Sequence, residues 1–105
     1  MPEFDLHIRN GSVIDGSGTL AFRADVAVRD GRIAAVGAIE GEAAREIDAT
    51  GLTVAPGFID VHAHDDDAVM STSMDFKLMQ GVTTDIVGNC GAGCLGRPSE
   101  RRTGR

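Results

Sequence analysis

Two histidines two positions apart are the residues of this chain most suited by type and spacing to hold a metal ion. His62 and His64 stand in the run His-Ala-His, and three aspartates follow. In an extended strand, residues i and i+2 point to the same face, so two such imidazoles can converge on one divalent cation such as zinc. Asp65 and Asp66 add oxygen ligands, or acceptors that fix the histidine tautomers. Read alone, the pattern is more often two polar residues on a loop.

The segments around this pair predict a strand–helix–strand unit. Residues 58–61, Phe-Ile-Asp-Val, are apolar and β-branched, which is typical of a buried strand. Residues 68–80 have apolar side chains at i, i+4 and i+8, which predicts a helix that ends at Gly81. Residues 82–87 predict a second strand. Such a unit implies a parallel strand pair, and α/β folds place their sites at the carboxyl ends of those strands.

A cysteine follows the second predicted strand. Cys90 stands in Gly-Asn-Cys-Gly, and the carboxyl ends of adjacent parallel strands lie side by side, so its thiolate could join the histidines on zinc. The alternative interpretation is a small buried thiol between glycines. Cys94 receives no role. Asp60 either accepts hydrogen bonds from loop amides beneath the site or only ends its strand.

The first half of the chain has the pattern of an all-β segment. Residues 4–9 alternate apolar and polar side chains, which predicts a half-buried strand with His7 on its exposed, polar face. Asn10-Gly11 then predicts a turn before a short strand at 12–14.

Two hairpins are predicted farther along. Asp30-Gly31 separates residues 25–29 from 32–36 and favours a type I′ turn, in which both central residues have positive φ. Thr50-Gly51 is a weaker signal for a hairpin between 46–49 and 52–55.

Composition excludes several classes of protein. The chain has 105 residues and a formal net charge of −6, which argues against non-specific binding to nucleic acid or to an anionic membrane surface. It has no long apolar run and no basic, apolar leader, so we expect a cytoplasmic protein. The glycine-rich stretch before Cys94 lacks the Lys-Ser/Thr of a phosphate-binding loop, and no nucleophile elbow is present.

The sequence resembles the start of the amidohydrolase superfamily over residues 1–95. The carriers are Asn10-Gly11, Ile14-Asp15-Gly16, the hairpin Arg29–Ile33 and the string Ala55–His64. Within the superfamily it resembles the D-aminoacylases, which deacylate N-acyl-D-amino acids. That likeness is carried by His64-Asp65-Asp66, Gln80–Thr84 and Gly88–Gly91.

The resemblance implies a site, a cofactor and a reaction. His62, His64 and Cys90 would be the metal ligands, and Zn²⁺ the cofactor. The substrate would be a small N-acyl-D-amino acid, hydrolysed to a D-amino acid and a carboxylate by metal-assisted attack of water. The general base would lie on later barrel strands, beyond the end of this chain. Asp65, Asp66 and Asp67 are stand-ins without specific support.

The expected fold is α/β with an all-β N-terminal part. Residues 1–54 would form strands of a small β-sandwich, and 55–96 the first strand–helix–strand of an incomplete (β/α)8 barrel. Residues 97–105, with four arginines and no hydrophobic residue, would be a disordered and frame-shifted basic tail.

A complete barrel takes about 250 residues, so we expect a truncated N-terminal piece that is inactive alone and self-associates through unpaired edges. The alternatives are a non-catalytic product or interaction module, and a small metal-binding protein.

Overall fold

The computed structural model describes residues 1–66 and 68–90. The chain divides into two compact units, Met1–Pro56 and Gly57–Arg105. Cys94 and the predicted tail at 97–105 lie outside the described residues. Within the described ranges, no helix is both long and apolar enough to cross a lipid bilayer.

The first unit is a mixed five-stranded sheet built around one long strand. Its strands are β1 (Phe4–Val13), β2 (Phe22–Arg29), β3 (Arg32–Gly37), β4 (Ala43–Asp48) and β5 (Thr53–Val54). The order is β3-β2-β1-β4, and β5 pairs with β1 beyond the end of β4. β1 is antiparallel to β2 and parallel to β4 and β5. The buried core combines Val13, Ala24 and Val26, with Ile8 and Val54 packed against it.

The turn predicted at Asn10-Gly11 is wrong, because β1 continues through it. The register between β1 and β2 shifts between Ile8 and Gly11, and Asn10 has a left-handed φ of 62°. Asp25 on β2 accepts a hydrogen bond from the Asn10 N–H at 2.9 Å. Arg9 and Asn10 therefore stand opposite Asp25 alone and form a β-bulge, in which Asn10 takes a positive φ typical of a turn although the chain does not reverse.

The expected exposure of His7 is also wrong. The His7 side chain is fully buried, and its Nε2 lies 2.8 Å from Asp25 Oδ2. His7 lies opposite Ala27 on β2 and Glu46 on β4, so residues of both neighbouring strands flank it, while Asp5 on the same face of β1 stays exposed. A carboxylate partner within hydrogen-bond distance makes burial of the imidazole tolerable.

One of the two predicted hairpins forms. β2 and β3 pair antiparallel around Asp30 and Gly31, whose φ values of 52° and 72° fit a type I′ turn. The hairpin predicted around Thr50-Gly51 is wrong, since β4 and β5 each pair in parallel with β1. Asp48 Oδ1 accepts hydrogen bonds from both the N–H and the hydroxyl of Thr50, and this local turn continues the chain along the edge of β1.

The second unit contains a parallel two-stranded sheet of β6 (Phe58–Asp60) and β7 (Val82–Asp85). The parallel pairing is confirmed, but the helix predicted over 68–80 is not continuous. A 3-10 turn (Ala68–Met70) and a single turn of α-helix, α1 (Asp75–Leu78), replace it.

Hydroxyl groups interrupt the predicted helix. The Met74 N–H donates to the Thr72 hydroxyl at 3.4 Å rather than to a carbonyl of the preceding turn, and Met74 has a left-handed φ of 60°. Side chains that bond the local backbone in this way compete with the helical ladder, so the apolar spacing alone overestimated the helix.

Candidate metal centre

Backbone pairing beyond the ends of β6 and β7 positions the candidate ligands. The Ile86 N–H donates to the Asp60 carbonyl at 2.8 Å, and the Ala63 N–H donates to the Ile86 carbonyl at 2.8 Å. The chain just after β6 is thereby held against the chain just after β7. His62 and His64 lie in the segment that follows β6, and Cys90 lies in the segment that follows β7.

The structure brings all three predicted ligands together. His62 Nε2 lies 3.2 Å from Cys90 Sγ, and His64 Nε2 lies 3.8 Å from the same sulfur. The imidazole centroids are 5.2 Å apart, and one ligand atom from each residue lies within 4.8 Å of the others. All three side chains are exposed.

These separations suit zinc. Two donors bound tetrahedrally to one zinc at bond lengths of about 2.0–2.3 Å lie roughly 3.5 Å apart. The two sulfur–nitrogen distances, 3.2 and 3.8 Å, fall on either side of that value. The donor set of two imidazoles and a thiol is the chemistry that zinc prefers. The residues present therefore fit the metal that the sequence predicted.

Asn89 ties the cysteine segment to the histidine segment. Its Nδ2 donates to the Val61 carbonyl at 3.1 Å and to the Ile86 carbonyl at 3.3 Å. One side chain thus bridges the segments that follow β6 and β7. The Gly-Asn-Cys-Gly motif predicts a ligand only at its cysteine, so this role of Asn89 was not expected.

Lys77 lies among three carboxylates next to the ligands. Its Nζ is 2.5 Å from Asp60 Oδ2, 2.8 Å from Asp65 Oδ2 and 3.5 Å from Asp85 Oδ1. Asp60 also accepts a hydrogen bond from the His62 N–H at 3.2 Å, so it contacts the loop amide beneath the site. Sequence analysis missed Lys77, although it is the only lysine in the chain.

The pKa values in this cluster follow from the ammonium group and from burial. The hydrogen bond from Lys77 lowers the pKa of Asp60, and the His62 N–H lowers it further. Lys77 likewise lowers the pKa of Asp65. Loss of hydration raises the pKa of Asp85, and the neighbouring Asp65 adds to that rise. Hydrogen bonds to Asp60 and Asp65 raise the pKa of Lys77, so it stays protonated.

The remaining candidates have other surroundings. Asp65 faces Lys77, and Asp66 is buried. His7 belongs to the first unit, where Asp25 holds it.

Comparison with known proteins gives the family. Residues 45–104 match the amidohydrolase family. The chain belongs to this family. The amidohydrolase chain is 51% identical over 90 residues to a D-aminoacylase of Alcaligenes xylosoxydans xylosoxydans, covering 84% of this chain. It is 50% identical over 91 residues, 85% of the chain, to an N-acyl-D-glutamate deacylase of the same organism.

A solved structure agrees with the fold. The N-acyl-D-glutamate deacylase of Bordetella bronchiseptica, in complex with zinc and a phosphonate inhibitor, matches with a TM-score of 0.81 and 50% identity over 86% of this chain. The α/β class with its strand-rich N-terminal part is thereby confirmed. This amidohydrolase chain spans about 19% of the length of each of these three relatives.

Proposed function

We propose that His62, His64 and Cys90 hold a zinc ion used to hydrolyse the amide bond of N-acyl-D-amino acids. The observation that carries this proposal is the convergence of two imidazole nitrogens and one sulfur at the carboxyl ends of β6 and β7. Relatives at about half identity are named for this deacylation, and one of them was solved with zinc. The products would be a D-amino acid and a carboxylate.

The donor set leaves room for chemistry as well as binding. Catalytic zinc sites have three protein ligands and keep a further position open for water or substrate. Zinc bound in this way polarises a carbonyl and lowers the pKa of its bound water to about 7. Exposure of all three ligands leaves the site open to a small substrate.

Asp60 and Asp65 are poorly suited to proton transfer. Asp60 and Asp65 contact Lys77, which keeps them charged and occupied. A general base needs a carboxylate free to take a proton from water, so we expect it outside the described residues. β6 and β7 would be the first two strands of a (β/α)8 barrel, whose sites lie at the carboxyl ends of its strands.

A metal titration tests the binding half of this proposal. Co²⁺, a spectroscopic substitute for zinc, should bind the 105-residue chain with a thiolate-to-metal charge-transfer band. Cys90→Ala should abolish the band and His62→Ala should weaken binding, whereas Asp75→Asn, an exposed charge change on α1, should alter neither. Binding that ignores Cys90 and His62 would contradict the assignment.

A chimera tests the catalytic half. Residues 1–90 would replace the matching segment of the Alcaligenes D-aminoacylase, and release of the amino acid from N-acetyl-D- and N-acetyl-L-amino acids would be compared. We expect zinc-dependent turnover of the D-enantiomer that His64→Ala removes. A folded, zinc-binding chimera without turnover would favour the alternative of a metal-binding protein without catalysis.

A further inference from the structure

We propose that Lys77 is a positioning residue for the metal ligands: its ammonium, held by Asp60, Asp65 and Asp85, fixes both ends of the His-x-His segment. The inference rests on the proposed function insofar as His62, His64 and Cys90 bind a metal ion. It adds a residue that contacts no ligand atom itself and acts through the carboxylates.

The three carboxylates come from both sides of the site. Asp60 ends β6 two residues before His62, Asp65 directly follows His64, and Asp85 ends β7. Lys77, on α1, contacts all three within 3.5 Å, and its side chain is only 19% exposed. One cation therefore joins the segment that carries the histidines to the helix and to the second strand.

Two hydrogen bonds to Asp60 link Lys77 to the backbone of His62. Lys77 donates to Asp60 Oδ2, while Asp60 Oδ1 accepts the His62 N–H at 3.2 Å. The carboxylate is thus held from both sides, and its orientation fixes the backbone at His62. On the far side of the pair, the 2.8 Å ion pair with Asp65 restrains the residue next to His64.

Charge explains why a cation is needed there. Asp60, Asp65 and Asp85 place one carboxylate oxygen each within 4.8 Å of one another, close enough to repel strongly when two or more are ionised. Lys77 Nζ lies between them and supplies the opposite charge. Without it, the carboxylates would separate and move the histidines with them.

The sign of the effect on metal affinity separates positioning from simple electrostatics. A positive charge near a cation site weakens metal binding through space, so removing Lys77 for charge alone would strengthen it. If Lys77 positions the ligands, its removal should weaken binding instead. Groups that orient metal ligands from outside the coordination sphere typically change metal affinity by about tenfold to a hundredfold.

The test compares two Lys77 variants of the full 105-residue chain with the control Asp75→Asn. One readout is Co²⁺ affinity from the thiolate charge-transfer band, of which only the part that Cys90→Ala abolishes is counted. The other is hydrogen exchange of the His62 amide without metal. We expect Lys77→Met to lower Co²⁺ affinity roughly tenfold or more and to speed exchange at His62. Asp75→Asn should change neither.

Lys77→Arg decides the matter if Lys77→Met fails to fold. It keeps the positive charge, but a planar guanidinium on a longer side chain cannot reproduce a point contact to three carboxylates. We expect weaker Co²⁺ binding and faster His62 exchange than in the unaltered chain. Unchanged values in a folded Lys77→Arg, or equal or tighter Co²⁺ binding by a folded Lys77→Met, would overturn the inference.

The two proposals fail in different ways. If the unaltered chain shows no thiolate band, the metal site of the proposed function is wrong, and His62 exchange in the Lys77 variants still decides the positioning role. If the band is present and neither variant changes it or the exchange, the metal site stands and the role of Lys77 is wrong.

Discussion

The buried imidazole of His7 in the first unit depends on its contact with one carboxylate, that of Asp25. His7 is 0% exposed, and Asp25 Oδ2 lies 2.8 Å from its Nε2. The other oxygen of Asp25 accepts the Asn10 N–H. A single carboxylate therefore contacts Nε2 of a buried ring and a backbone N–H at the bulge.

Asp25→Ala should destabilise the protein at pH 7 by about 1–3 kcal/mol, because it leaves a buried donor without its acceptor. The Asn10 N–H and His7 lower the pKa of Asp25 in the folded state. Its contribution is therefore present above the unfolded pKa of about 3.9 and is lost as the pH falls through the lower, folded value. Urea unfolding at several pH values measures this.

The matched control for Asp25→Ala is Glu42→Gln, since the Glu42 side chain is exposed. We expect a small, nearly pH-independent effect of that change. A difference between Asp25→Ala and the unaltered chain that persists undiminished in strong acid would contradict the assignment.

Single residues differ in how far their roles could be predicted from sequence. The convergence of His62, His64 and Cys90 followed from a regular strand–helix–strand unit, which places the carboxyl ends of its parallel strands side by side although His62 and Cys90 are 28 positions apart. His7 depends on a partner 18 positions away, and Lys77 on three partners that lie 8, 12 and 17 positions away. Nothing in their own surroundings along the chain indicates those partners.

At the scale of elements, the bulge in β1 depends on one backbone angle. Asn10 has φ 62°, a left-handed conformation that asparagine and glycine tolerate and β-branched residues do not. Residues Phe4–Arg9 of β1 pair with β4, and Ser12 and Val13 pair with β5. The bulge thus lies where β1 changes from one parallel partner to the other.

Asn10→Val should lower the free energy of unfolding by roughly 1–2 kcal/mol more than Asn10→Gly. Both variants lose the carboxamide, so their difference isolates the backbone conformation. Thermal unfolding of the two variants measures it. Equal stability would show that the bulge does not require a left-handed residue.

In the second sheet, the backbone at Gly57 lies very close to the side chain of Thr83. A Cβ added at Gly57, directly before β6, would collide with the side chain of Thr83 on β7. Gly57→Ala should therefore push the strands apart and speed hydrogen exchange of the Ile86 amide, which bonds to Asp60.

The Gly57 prediction has an internal control. Thr83→Ala removes two of the three atoms in the collision, so Gly57→Ala combined with Thr83→Ala should recover part of the lost protection at Ile86. If the loss of protection at Ile86 in the double variant equals the sum of the losses in the two single variants, the cause is not steric.

Pairing of neighbouring elements was easier to predict than pairing at a distance. The Asp30-Gly31 hairpin formed because its turn residues specify the geometry that joins β2 to β3. β4 and β5 instead pair with β1, whose sequence lies 30 or more residues earlier, and no turn signal encodes that choice.

At the scale of the whole molecule, the second unit exposes apolar surface on and beside its sheet. Phe58, Ile59 and Val61 are 61%, 59% and 70% exposed. Among the described residues, β6 and β7 pair only with each other. Open strand edges with exposed apolar side chains favour association, so self-association remains a prediction.

Ile59→Ser should shift sedimentation of the chain toward the monomer at a given concentration, because it removes apolar area from the β6 surface. Leu20→Ser is the matched control: Leu20 is 91% exposed and belongs to the first unit, so it is not part of this sheet. A monomeric unaltered chain, or equal effects of both variants, would contradict the prediction.

The isolation of the one lysine has a practical consequence. Acylating reagents attack neutral amines, and the contacts of Lys77 with aspartates keep its amine charged and largely covered. An amine-reactive fluorophore should therefore label Lys77 only slowly, and its appearance there would report opening of the carboxylate cluster.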